Sequence, residues 1–313
     1  MFFHGWSVRA LPFRKAPLGS LLATMLLLVL AVLGAAGPAH GDPGKHAHKT
    51  GEVDTEHMFG FTEGSDTGEA GEKELETDST GRFGKPGGAY NNVATALEAK
   101  YSFSDRFRLS AVATVAYYDI TGVDGIDDRR QGALQSVSFD ARFRLLDREH
   151  APFGLTLSAE PRRGFTDEMS GAPGDQYGAD FRVLADRELI PGRVFAAFNV
   201  RYEPAQTRLR ASGETLREST LGIGAALAMQ VMPNVFVGAE ARNLRHFDGL
   251  GLNGFAGQAL YIGPTFYATF GGRYFISAAW NVQVWGAVAG SSGALDLVNF
   301  ERHLLKLRAG VRF

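Results

Sequence analysis

The sequence predicts an all-β chain, a single antiparallel transmembrane β-barrel of about 12 strands over residues 71–313. A signal peptide (1–39) and a flexible polar His/Gly-rich arm (40–70) precede it. Three observations carry this prediction. Apolar residues recur at every second position through a series of segments. The connections between segments alternate in length. Aromatic residues gather at the segment ends.

Arg9, Arg14 and Lys15 form a positively charged start, followed by the apolar run "LGSLLATMLLLVLAVLGAAG" from Leu18 to Gly37. Gly37 and Ala39 supply the small residues of a cleavage site, so a secretory signal cut near Ala39 is expected. The alternative is an uncleaved anchor, because the run is about long enough to span a bilayer. The arm holds His40, His46, His48 and His57 among Gly and acidic residues. Histidines bind Zn, Cu or Ni, but the spacing His46-x-His48 is unspecific and no carboxylate is fixed beside it. A mobile arm is therefore expected, with a plug entering the lumen as its alternative. No metal and no cofactor are expected.

Twelve alternating segments follow, near 72–83, 91–103, 107–118, 132–145, 153–161, 177–185, 194–203, 217–231, 235–245, 257–270, 274–288 and 302–313. Many are close to the roughly 9–11 residues that a tilted transmembrane strand needs. In the third, Phe107, Leu109, Ala111, Ala113 and Val115 oppose Arg108, Ser110 and Thr114. In the fourth, Val137, Phe139, Ala141, Phe143 and Leu145 oppose Ser138, Asp140, Arg142 and Arg144. Period two with one apolar face means strand. The last segment, "LKLRAGVRF", sets Leu305, Leu307, Ala309, Val311 and Phe313 against Lys306, Arg308 and Arg312.

Connections after even-numbered segments are short, as in "SDR", "MPN" and "GGR". Those after odd-numbered segments are longer and polar, as in "DITGVDGIDDRRQ". Tyr101, Phe103, Phe107, Phe143, Phe153, Phe270, Tyr274 and Phe313 lie beside the short turns. Tyr90, Tyr117, Tyr118, Tyr177 and Tyr202 lie near the long loops. A soluble sandwich explains neither the alternation nor two aromatic girdles; a membrane barrel with periplasmic turns and extracellular loops explains both.

Composition narrows the function. Hydrophobic residues are 45%, and 32 Lys and Arg stand against 34 Asp and Glu, which fits neither a disordered chain nor a basic nucleic-acid binder. The absence of cysteine excludes disulfides and thiolate chemistry. The lumen-lining candidates are Glu98, Lys100, Arg108, Asp140, Arg142, Arg144, Asp180, Arg182, Arg201, Glu240, Arg242, Lys306, Arg308 and Arg312. Glu74, Glu76, Asp78 and Arg82 share the polar face of the first segment. Rings of both signs suit a pore for small polar solutes. The same charges, paired across the lumen, would instead close it, because about 12 strands give an intermediate width.

A structural or adhesive barrel acting through its long loops is the second reading. A lipid hydrolase is the third, and its geometry fails: Ser277 has lumen parity and His303 has lipid parity, so no Ser–His pair forms. The chain is therefore expected not to be an enzyme. Expected partners are outer-membrane lipid, the assembly machinery and small polar solutes, with no nucleic acid. Leu307→Arg should damage folding, Lys306→Gln should leave it nearly unchanged, and loss of Phe313 should reduce assembly.

The stretches "EHMFGFTEGSDTGEAGEKELETDSTGRFGK" (56–85), "RLLDREHAPFGLTLSAEP" (144–161), "SAAWNVQV" and "ALDLVNFERH" resemble an uncharacterised family of proteobacterial outer-membrane barrels. The resemblance implies fold and location and assigns no site. The terminal strand ending in Phe313 resembles the signal read by the barrel-assembly machinery of Gram-negative bacteria.

Overall fold

A computed structural model describes residues 53–291 and 293–313. The expected signal peptide and His40, His46 and His48 lie outside the described residues. Twelve strands run in chain order: β1 (Lys73–Phe83), β2 (Ala89–Ser104), β3 (Phe107–Thr121), β4 (Arg129–Leu146), β5 (Gly154–Thr166) and β6 (Pro173–Ile190). Then come β7 (Val194–Leu209), β8 (Thr215–Met232), β9 (Val235–Phe247), β10 (Phe255–Phe270), β11 (Tyr274–Val288) and β12 (His303–Arg312). Each pairs antiparallel with its neighbours, and β1 pairs with β12, so the sheet closes without an edge. Closure is what hydrocarbon demands, because every backbone N–H and C=O there needs an internal partner.

The seam joins Glu74 to Arg312, Asp78 to Arg308 and Phe83 to His303. Phe313 continues the pairing, its N–H donating to the Lys73 carbonyl at 2.8 Å. The short turns follow local backbone chemistry. Pro233–Asn234 joins β8 to β9, with Asn234 at φ 63°, as a proline followed by a left-handed residue favours. Gly271 and Gly272 both take positive φ between β10 and β11, where a Cβ would be strained.

Several strands run past their predicted ends on the long-loop side. β3 continues to Thr121 and β4 begins at Arg129, so much of "DITGVDGIDDRRQ" is ladder rather than loop. Hydrogen bonding between adjacent strands does not stop where the apolar belt stops.

The outer face carries the apolar belt: Leu97, Phe139, Leu227 and Trp280 are all about half exposed. Tyr101, Phe103, Phe107, Phe143, Phe153, Phe270 and Phe313 are exposed at the short-turn rim. The second girdle needs correction. Tyr177 faces outward, but Tyr90 and Tyr118 are buried inside, in a cluster with Ala116, Ile120 and Val123. Both share parity with the charged residues of their strands, and period two decides direction over position along the strand.

Leu307 projects from the outer face of β12 beside Ala278. An arginine there is expected to cost about 2–4 kcal/mol near the midplane. Equilibrium refolding into liposomes should show that loss, and an unchanged stability would mean that the strand's outward face is misassigned. The expectation that Lys306→Gln is neutral assumes an open, wet lumen, and the surroundings of Lys306 are different. Lys306 lies 2.9 Å from Asp78 and 5.3 Å from the Phe61 ring centre, inside a packed lumen rather than in open water.

Candidate functional site

The lumen is not empty. Residues 53–70, expected to belong to a flexible arm, enter it from the short-turn rim and fold back as a hairpin between Thr55 and Asp66. Thr55, Glu56, His57, Met58, Phe59, Thr62, Ser65 and Thr67 are all buried. The mobile-arm reading is corrected for this stretch, and its physical reason is charge and shape complementarity with the barrel wall.

At the foot, the Thr55 N–H donates to Asp66 Oδ2 at 2.7 Å and closes the hairpin. Arg148, from the β4–β5 turn, donates to Asp66 Oδ1 (2.7 Å), Thr55 Oγ1 (2.9 Å) and the Val53 carbonyl (2.6 Å). Ser65 donates to Asp186 at 2.5 Å.

The middle is an ion cluster. Glu56 accepts from Arg108 and from Lys100 (3.0 Å), with Arg142 at 3.3 Å. Lys100 also contacts Glu74 (2.8 Å) and Glu76 (2.7 Å). Glu63 lies 2.7 Å from Arg142 and 3.4 Å from Arg182. The Glu63 backbone exchanges two hydrogen bonds with the Asn199 side chain, at 2.7 and 2.8 Å. His57 stacks on Phe275 with centroids 4.4 Å apart, its Nε2 3.1 Å from Glu74 and its Nδ1 2.8 Å from Arg308.

The opposite side is apolar. Met58 and Phe59 pack against Phe195, Ala197, Ala226, Ala228, Phe236, Tyr267 and Phe275. At the tip, Gly60 has φ +80°, and a Cβ there would meet Ala279 Cβ at 2.7 Å and Glu240 Oε1 at 2.8 Å. Only a glycine combines that turn with that approach. Beside it, Glu240 accepts from the backbone N–H groups of Phe61 (3.1 Å) and Thr62 (2.8 Å), the Thr62 hydroxyl (2.9 Å) and Asn281 (2.7 Å).

The charged residues expected to line a pore are thus distributed among pairs. Lys100, Arg108, Arg142, Arg182 and Arg308 grip the hairpin. Arg312 reaches Glu74 and Asp54. Asp140 pairs with Arg142, and Asp180 with Arg182 and Arg201, each at 2.7 Å. Arg144 sits at the rim and donates to the Asp105 carbonyl. Glu98, Arg242 and Lys306 line a cavity beyond the hairpin. Ser277 is buried on the inner face, whereas His303 lies on the outer face near Trp280.

Glu56, His57 and Glu74 converge closely enough to hold a cation. That place is served by the Lys100 ammonium, within 3.0 Å of both carboxylates, so the wall itself supplies the positive charge.

The cavity holds about 640 Å³ between the hairpin and two inward-leaning loops on the long-loop side. Loop 167–172 is held by Tyr90, which donates to the Met169 carbonyl (2.8 Å), and by Arg162, 2.9 Å from Glu168. Loop 293–302 is held by Lys85, donating to the carbonyls of Val298 (2.9 Å) and Phe300 (3.2 Å).

The hairpin's carboxylates have a pH signature. Burial opposes ionisation of Glu56, but Arg108 and its neighbouring cations outweigh it and hold the carboxyl well below the usual range. Glu63 follows the same pattern, with Arg142 and Arg182 dominant, and Asp66 likewise beside Arg148. A depressed folded-state pKa contributes stability above the ordinary carboxylate value, which is lost as pH falls through the folded value. Glu72 works the other way: burial, Glu74 and Glu56 push it up to about 7, so it contributes stability that is fully present below its ordinary value of 4.5 and lost as pH rises through about 7. The hairpin is therefore expected to stay docked through mild acid and to loosen only well below pH 4.5, the ordinary glutamate value. Hydrogen exchange of amides 55–66 across pH checks this; release at pH 5–6 would contradict it.

The family to which these residues belong is matched over residues 51–313, which covers the hairpin and every strand. The chain is a member of the family of unknown function DUF6662. No curated protein matches it. Among solved structures, an outer membrane channel from Pseudomonas putida F1 is similar, with a TM-score of 0.55 at 9% identity, covering 80% of this chain and 98% of that one. The β domain of the Bordetella autotransporter BrkA gives a TM-score of 0.45 at 16% identity over 78% and 99% of the two chains. The translocator domain of NalP from Neisseria meningitidis gives 0.42 at 14% over 94% and 96%. The likeness to the Pseudomonas putida channel is one of fold: this DUF6662 member is a β-barrel of outer-membrane type.

The sequence missed the residues that make the site, above all Glu56, Glu63 and Asp66. The available signal was the apolar triplet Met58, Phe59 and Phe61 inside a polar stretch, which a free linker has no reason to carry.

Proposed function

We propose that this DUF6662 barrel is an outer-membrane channel for small polar solutes, closed on its periplasmic side by its own N-terminal hairpin. The observation that carries the reading is the burial of Thr55–Asp66 inside the lumen, with a cavity lined by many charged residues beyond it. A barrel needing only to be solid could fill its lumen with wall side chains. Here a separable segment, continuous with the periplasmic end of β1, occupies the lumen through ion pairs rather than through the sheet. Long loops would face outward and short turns the periplasm, which the exposed aromatic rim beside the turns supports. Mixed charge along the wall suits solutes bearing either sign. The Ser277–His303 pair that a lipid hydrolase reading would use is split between opposite faces.

Osmotic swelling of proteoliposomes tests the reading. Vesicles carrying the wild-type barrel should swell slowly in isosmotic amino acids or small sugars. Vesicles carrying a chain with residues 55–66 removed should swell fast, and more slowly as the solute grows. No swelling with either protein would favour the structural or adhesive reading.

A further inference from the structure

Closure of the lumen leaves two donors of Arg242 without a partner. It lies on β9, 8% exposed, and lines the outer cavity. Its Nε and Nη2 are buried and have no hydrogen-bond partner. A guanidinium so placed is costly unless something completes it. Glu240, two residues earlier on the same face, is taken up by the hairpin tip and Asn281. Nε and Nη2 are adjacent donors on one edge of the guanidinium plane, and their spacing matches the two oxygens of a carboxylate.

The surroundings fit an anion. The guanidinium lies 4.1 Å from the centre of the Phe61 ring and 5.8 Å from that of Tyr261, so its flat faces are covered and the buried Nε–Nη2 edge is the part left without a partner. Lys306 flanks the same Phe61 ring at 5.3 Å. Opposite Arg242 in the ladder stands Gly224, with Gly222 beyond it, so β8 puts no side chain into the lumen there. The rest of the cavity carries both signs, with Glu98, Glu203 and Glu218 but also Arg82, Arg162 and Arg201 among its lining. Such a wall offers the polar body of a ligand both donors and acceptors.

We propose that Arg242, stacked on Phe61, binds the carboxylate of a small organic acid with a polar body, held in the outer cavity against the hairpin tip. The proposal deepens the channel reading by naming a solute class. Its volume of about 640 Å³ falls in the ordinary range of small-molecule sites.

Calorimetric titration of the detergent-folded full barrel with sodium gluconate tests it, with glucose as the uncharged analogue. Gluconate should bind saturably, and glucose should not. Arg242→Gln should weaken gluconate at least about tenfold, through loss of a charged bidentate pair. Arg242→Lys, keeping charge without the fork, should fall between. Phe61→Leu, which keeps bulk without the ring, should weaken binding in a barrel whose heat-modifiable migration is unchanged. Equal binding of gluconate and glucose, no saturable gluconate binding, or wild-type affinity in Arg242→Gln would each overturn the site. Binding is read at equilibrium, so the channel reading can fail on swelling while the site stands, and the reverse.

Discussion

Replacing Glu56 with glutamine is expected to release the hairpin from the lumen while the barrel stays folded. Glu56 is the shared partner of Arg108, Lys100 and Arg142, all buried. An amide keeps the shape and removes the charge, leaving those cations short of a partner in a site closed to water. Removing one member of a buried ionic group costs about 3–5 kcal/mol. The ladder hydrogen bonds between strands do not involve Glu56, so that cost falls on docking rather than on the wall. Undocking lets water reach the stranded cations, which is the route by which the molecule recovers the energy. The docked-to-undocked ratio should therefore fall by about 10²–10⁴-fold. Hydrogen exchange would show amides 55–66 losing protection while strand amides keep theirs. Glu149→Gln, on the exposed β4–β5 turn, should change nothing. Full protection of the hairpin in Glu56→Gln would mean that the apolar contacts of Met58 and Phe59 hold it alone.

The strands were legible in the sequence and the hairpin was not, for different physical reasons. A strand's alternation is local, because successive side chains must point to opposite faces of the sheet. Arg108, Asp140 and Arg308 therefore announced their side of the wall without knowledge of any partner. The hairpin has no such period. Glu56 and Glu63 are buried because Lys100, Arg108 and Arg142 stand on three strands that close around them. Nothing within "TEHMFGFTEGSD" states that, and polar composition alone reads as linker. Tyr90 and Tyr118 show the intermediate case. Parity placed them inside, and position along the strand suggested the membrane interface. The rule with the stronger steric cause decided the outcome.

The second large effect is on passage through the barrel. Joining Asp54 to Thr67 removes the hairpin without disturbing its base, because Thr55 and Asp66 already touch. The contacts of Asp54 with Arg312, and of Thr67 with Ser102 and Asp105, remain. What is left is a twelve-stranded wall of intermediate bore with Lys100, Arg108, Arg142 and Arg308 facing Glu74, Glu76, Asp78 and Asp140. Water and salt can enter such a lumen, where before Met58 and Phe59 were packed against Phe195 and Phe236.

Planar-bilayer recording of the two proteins is the most direct measurement. The wild-type barrel should be shut for most of the record, with brief openings as the hairpin leaves the lumen. The barrel without residues 55–66 should conduct steadily, and Glu56→Gln should lie between them. A deletion barrel that migrates as folded yet carries no current would contradict the account, and would show that the inward-leaning loops and wall charges close the lumen by themselves.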